Sequence, residues 1–234
     1  MVKDSNLSVE EMEKAGVNFG HKVSKLHPKM KQYVSGVKNG VHVFDLEKTV
    51  KEFDRALSFV ARIISEGKSI IFVGTKIQLR GLVQLAAEEC GVPYVTERWL
   101  GGTFTNFETI QKRVSYFKDL EKKKETGELE KYTKKERLDF DKEIASLKVK
   151  FDGVRNMTKL PDVVFIFGLD KDITCAREAK RKGIKIVSIV DTNVNPDMVD
   201  YPIPANDDAI SAVRYIINKV KEVIISARQV ETEK

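Results

Sequence analysis

Three short apolar runs stand out along the chain, at residues 69–73, 162–167 and 185–190, each rich in Ile, Val or Phe and too short for a helix. Such runs mark strands buried on both faces, because a strand facing water on one side would alternate. Around them the spacing changes to three and four residues. Val50, Phe53, Leu57, Val60 and Ile64 draw one apolar stripe along 47–65, and 78–90, 173–182 and 207–228 read as helices in the same way. Residues 41–46 alternate like a strand, 93–96 and 202–204 are short extended pieces, and Ser8 with Glu11 has capping-box spacing for a first short helix. Strands alternating with amphipathic helices predict an α/β fold with a mainly parallel sheet covered on both faces. Residues 16–40 are too polar for core and too broken by Gly and Pro for a long element, so a loop is expected there.

The rhythm stops at 106. Phe107, Ile110, Val114, Phe117 and Leu120 form a narrow apolar seam, Thr126-Gly127 interrupts it, Thr133 and Glu136 repeat the capping-box spacing, and Leu138, Ile144, Leu147 and Phe151 carry a second seam. Two such helices predict an inserted antiparallel helical hairpin of coiled-coil character. The expected plan is a discontinuous α/β core at 1–105 and 158–228, the hairpin at 106–157, and a disordered tail at 229–234. The joint, Arg98-Trp99-Leu100-Gly101-Gly102-Thr103-Phe104-Thr105-Asn106, holds the only tryptophan and two adjacent glycines that permit a sharp change of direction.

Charge alters this picture modestly. Forty-one Lys and Arg against 35 Asp and Glu leave a net charge of +6, enough to make nucleic acid a serious candidate partner without requiring one. Two cysteines, Cys90 and Cys175, without CxxC spacing, exclude a disulfide framework and point to reduced, partly buried thiols. No apolar run approaches a membrane span, and the N-terminus has no apolar signal segment, so a cytosolic protein is expected.

Candidate chemistry gathers where open parallel sheets bind ligands, beyond the strand ends. Phe72-Val73-Gly74-Thr75-Lys76 offers a glycine, a hydroxyl and a cation for phosphate, but it is no Walker A loop and the chain has no GxGxxG fingerprint. Asp191 and Asp207 could bind a metal or act as an acid–base pair, with His21 the nearest candidate nitrogen ligand; alternatively Asn206 or Asp207 caps the last helix. One reading is thus a nucleotide- or metal-dependent enzyme using Gly74, Asp191 and Asp207. The basic features are more numerous. Lys22, Lys25, Lys29 and Lys31 crowd the 16–40 segment, Lys112, Arg113, Lys118 and Lys122 to Lys124 lie on the hairpin, and Arg98 and Trp99 stand at the joint. Cations on an irregular segment beside aromatics suit an RNA backbone.

Several stretches, in this order, resemble the bacterial small-subunit ribosomal protein S-two family: Ala15-Gly16-Val17-Asn18-Phe19-Gly20-His21, Pro28-Lys29-Met30-Lys31, Asn39-Gly40-Val41-His42, Asp45-Leu46-Glu47-Lys48-Thr49, Phe72-Val73-Gly74-Thr75-Lys76, Arg98-Trp99-Leu100-Gly101-Gly102, Leu160-Pro161-Asp162, Ile189-Val190-Asp191-Thr192-Asn193 and Asp200-Tyr201-Pro202-Ile203-Pro204. The resemblance covers residues 12–227. It implies a flavodoxin-like three-layer α/β/α core with an inserted coiled coil and a non-enzymatic role on the cytoplasmic ribosome. It further implies binding of small-subunit ribosomal RNA, contact with neighbouring ribosomal proteins including the mRNA-binding protein S-one, and no homo-oligomer. No cofactor is required, although a zinc site associated with some members maps onto His21, Asp191 and Asp207. Asn18 stands where the family commonly has a histidine, Ala205 where it has glycine, Val194-Asn195 where Cys-Asp or Ser-Asp is common, and Thr103-Phe104 where Met-Leu is.

Overall fold

The structure, a computed structural model, describes residues 7–232, with side chains described through Gln229. The chain opens with α1 (Val9–Ala15), β1 (Phe19–Lys22), β2 (Val34–Lys38) and β3 (Val41–Phe44), then α2 (Leu46–Ser65), β4 (Ile70–Val73), α3 (Arg80–Cys90) and β5 (Tyr94–Val95). Two helices follow without a strand, α4 (Phe107–Glu125) and α5 (Lys134–Phe151). The alternation then resumes with β6 (Val163–Ile166), α6 (Ile173–Lys182), β7 (Lys185–Val190), β8 (Tyr201–Pro204) and α7 (Ile210–Thr232).

Five strands form one sheet in the order β5-β4-β6-β7-β8, and every pairing is parallel. Counted among themselves these strands run 2-1-3-4-5, the doubly wound order of flavodoxin-like sheets, which reverses direction between β4 and β6. Period-two alternation divides the sheet between two cores. Ile70 and Phe72 face α2, α3 and α7 with Phe53, Leu57, Val83 and Ile217, whereas Ile71 and Val73 face Cys175, Ala176 and Ala179 of α6 together with Trp99, Phe104 and Val114. Both faces being covered is why these strands read as continuous apolar runs.

Three expectations need correction. Residues 16–40 are not a plain loop, because β1, β3 and β2 form a small antiparallel sheet. β2 is exposed along nearly its whole length and so has no alternating signature. Its one local signal is Asn39-Gly40, whose positive φ values of 53° and 74° suit a tight hairpin turn. Residues 229–232, expected in a disordered tail, continue α7 to Thr232, since neither Gly nor Pro follows Arg228 to stop the helix; residues 233–234 lie outside the described residues. Finally, α7 starts at Ile210 rather than 207. Asn206 Oδ1 accepts the amides of Asp208 and Ala209, and the turn sends Asp207 inward.

In the 106–157 segment, α4 and α5 are joined by a 3-10 turn at Glu128–Lys131 and a reciprocal Thr133/Glu136 capping box. Val114, Phe117, Leu120 and Ile144 are buried, and Tyr116–Glu143 (3.2 Å) and Lys124–Asp141 (2.7 Å) tie the two helices together. Leu138, expected in the seam, is 53% exposed; Tyr132 and Phe140 pack edge to face across the turn between the helices.

Candidate functional site

The strand ends gather a cluster of charge. Lys76 leaves β4 and lays its stem along Gly168 after β6, so closely that a Cβ at Gly168 would lie 3.2 Å from Lys76 Cε. Its ammonium donates to Asp207 Oδ1 and to Asp208 Oδ1, each at 2.7 Å. The reversal point between β4 and β6, where sheets of this order hold nucleotides, is thus occupied by a side chain of the protein itself. Gly74 serves packing, since a Cβ there would meet Val83 Cγ2 at 2.8 Å. Thr75 donates its amide and hydroxyl to buried Asp172 at 3.1 and 2.8 Å. The groups that looked able to cradle phosphate are committed to internal carboxylates.

His21 approaches from β1, its amide donating to Thr192 Oγ1 at 2.9 Å. Only glycine at position 20 allows this, because a Cβ would come within 2.5 Å of Thr192 Cγ2. The imidazole lies between Asp191 (Nδ1–Oδ1 3.1 Å) and Asp208 (Nε2–Oδ2 3.3 Å). The bond to Asp191 raises its pKa, against the effect of burial. Asp207 is fully buried, and its Oδ2 has no hydrogen-bond partner. Burial, then the neighbouring Asp191 charge, pushes its carboxyl up to about 7 although Lys76 pulls the other way. For Lys76 burial disfavours the charge, but Asp207 and Asp208 outweigh it and the pKa rises.

His21, Asp191 and Asp208 each offer one ligand atom, all within 4.8 Å of one another. One imidazole nitrogen and two carboxylate oxygens suit a small divalent ion such as zinc. The trio whose ligand atoms fall together includes Asp208 rather than the expected Asp207, although both aspartates accept from Lys76 at 2.7 Å. The inward turn after Asn206 decides which of the two adjacent aspartates faces the imidazole.

At the joint, Glu178 of α6 is the organising group, and it escaped the sequence reading. Its Oε1 accepts from Trp99 Nε1 (3.2 Å) and the Gly102 amide (2.8 Å), and its Oε2 from the amides of Phe104 (3.0 Å) and Thr105 (3.2 Å) and the Thr105 hydroxyl (3.2 Å). Burial works against its charge, yet these donors prevail and its pKa is lowered. Gly102 takes the left-handed φ of 94° that turns the chain onto this carboxylate. Trp99 is 7% exposed and packs edge to face on Phe104 with centroids 4.7 Å apart. No face of the indole is left for a base, so Trp99 anchors the joint, and exposed Arg98 beside it is the group that faces outward. The signal for Glu178 was its register, three residues after Cys175 on the apolar stripe of α6.

Of the basic residues, Lys22, Lys25 and Lys31 are exposed around β1 and the 3-10 turns at Val23–Lys25 and Pro28–Tyr33, while Lys29 pairs with Asp197. Lys112, Arg113 and Lys118 are exposed on α4, whereas Lys123 and Lys124 pair with Asp119 and Asp141. Leu26, Met30 and Tyr33, the joint, α4 and α6 all pack on the same face of the sheet. Among the described residues no helix is long and apolar enough to cross a membrane.

A sequence model of ribosomal protein S2 matches residues 12–227. The chain is 42% identical over 221 residues to the small ribosomal subunit protein uS2 of Dehalococcoides mccartyi strain 195, covering 94% of this chain and 90% of that one. It is 41% identical, with the same coverage, to uS2 of strain BAV1. Together with an α/β core whose ligand crevice is filled from within, the match settles the family: this chain belongs to the ribosomal protein S2 family, whose members are structural and non-enzymatic.

Proposed function

We propose that this chain binds small-subunit ribosomal RNA as a structural constituent of the cytoplasmic small ribosomal subunit. The carrying observation is that the basic 16–40 segment, the joint and α4 border a single face of the sheet. On that face Lys22, Lys25 and Lys31, then Arg98, then Lys112, Arg113 and Lys118 neutralise phosphates, with Lys29 beside them holding Asp197, while Trp99 fixes the geometry between core and helices. The helices α4 and α5 act as an antiparallel coiled-coil appendage extending this surface. Neighbouring small-subunit proteins, including the mRNA-binding protein S-one, dock on the assembled particle, which holds one copy of the chain. No cofactor is needed for this role. A zinc ion, where bound, sits on His21, Asp191 and Asp208 and ties β1 to the loops after β7 and before α7.

Sedimentation of lysate through a gradient tests the reading: the chain should travel with small subunits, and a wholly free pool in ribosome-rich cells would overturn it. Binding of the purified chain to deproteinised small-subunit RNA should weaken steeply with salt, as phosphate contacts require. Saturable nucleotide binding abolished by Asp191→Ala would instead favour an enzyme, against the filling of the crevice by Lys76.

A further inference from the structure

Helix α6 carries charge that nothing on its surface answers. Arg177, Lys180, Arg181 and Lys182 are exposed, and its single acid, Glu178, faces inward and is bound by the joint. Each of the other six described α-helices exposes at least one carboxylate of its own, for example Glu10, Glu47, Glu88, Glu108, Glu136 and Glu222. The helix dipole accounts for cations in the last turn, at 180–182. It does not account for Arg177 in mid-helix, nor for exposed Lys171 just before the N-terminus, where the dipole opposes a cation.

The surrounding acids leave this face positive. Lys171, Arg177, Arg181 and Lys182 form no salt bridge among the described residues, and Lys180 reaches only the Asp197 carbonyl at 3.4 Å. Asp197 pairs with Lys29 and Asp200 with Lys185; exposed Asp170 and buried Asp172, which is bonded to Thr75, flank Lys171. The position is equally informative. Through Asp197, α6 adjoins Lys29 of the 16–40 segment, and through Glu178 it adjoins the joint that carries Arg98.

We propose that the outer face of α6 docks on the phosphate backbone of the ribosomal RNA, as the centre of a surface running from the 16–40 segment to the joint. This rests on the RNA-binding reading above and adds residues to it. Arg177 and Arg181 stand one turn apart, about 6 Å along the helix axis, and a guanidinium fork grips phosphate oxygens in pairs. A face without carboxylates avoids the repulsion that a mixed surface would offer a polyanion.

The test compares the full chain with two triple variants, using deproteinised small-subunit RNA as probe over a range of salt. Arg177→Gln, Arg181→Gln and Lys182→Gln strip α6, while Lys51→Gln, Arg55→Gln and Arg62→Gln remove equal charge from α2, which packs on the opposite face of the sheet. The α6 triple should lose at least about tenfold in affinity and flatten the salt slope by about two to three, with the α2 triple within about twofold of the parent. Thermal melting checks folding; should the α6 triple unfold, Arg181→Gln alone must lower the slope by about one. Equal behaviour of the two triples overturns the proposal. Unchanged RNA affinity with loss of subunit incorporation also overturns it, assigning α6 to an acidic protein neighbour. If the parent chain shows no salt-dependent RNA binding, the RNA reading itself falls, and this inference with it.

Discussion

Glu178 and Asp207 are both buried carboxylates, each at the centre of a polar cluster, and they behave in opposite ways. Glu178 uses both oxygens to accept five hydrogen bonds, three of them from the joint's backbone amides at Gly102, Phe104 and Thr105, and its pKa falls. Asp207 leaves one oxygen unpartnered, shares its surroundings with Asp191, and rises to about 7 despite Lys76. Both are shielded from solvent, Asp207 more completely, and the count and aim of fixed donors act together with that difference in deciding which carboxylate stays charged. One cluster is a finished structural lock, and the other retains capacity for a proton or an ion.

Removing the lock should produce the largest effect. Glu178→Ala strands several buried amides and the indole N–H, and should lower stability by about 4 kcal/mol in urea titration; loss below about 1 kcal/mol would show that water replaces the carboxylate at the joint. Second, Lys76→Met leaves the three aspartates facing one another and should cost about 3 kcal/mol. Adding Asp207→Asn to it should restore much of that loss, which a double-mutant cycle measures directly.

The pH dependence gives a sharper contrast, read with a chelator present so that protons alone are seen. Glu178 has a lowered folded pKa, so its contribution is present above the unfolded carboxylate value and is lost as pH falls through the folded one. Glu178→Gln should therefore be destabilised near neutral pH and approach the parent in acid. Asp207 has a raised folded pKa, so its contribution is present in acid and lost as pH rises through about 7. Asp207→Asn should gain on the parent between pH 4 and 8. Matching slopes in the two variants would erase the distinction. The smallest effect belongs to an exposed carboxylate: Lys185→Ala, which frees Asp200 from its 2.7 Å ion pair, should change stability by no more than about 0.5 kcal/mol.

Much of this was legible without the fold. The double-faced strands announced themselves as continuous apolar runs, and the Thr133/Glu136 capping box formed as its spacing required. The small sheet at 16–40 was hidden because β2 is exposed, leaving only Asn39-Gly40 to signal it. Asp208 was eclipsed by Asp207 because adjacent residues in a turn face different ways, and composition cannot say which faces inward. Glu178 looked like one more surface charge in a basic helix, although its register placed it on the buried stripe.

The chain by itself determined its alternating α/β core, its break into two charged helices and its membership of the ribosomal protein S2 family, because periodicity and motif order are local properties. Only the tertiary structure decided that Lys76 fills the ligand crevice, that His21 meets Asp191 and Asp208, that Trp99 faces inward, and that α6 stands between the basic segments. Those facts depend largely on contacts between residues dozens to nearly two hundred positions apart. No local pattern encodes which side chains the closing of a sheet will bring into contact.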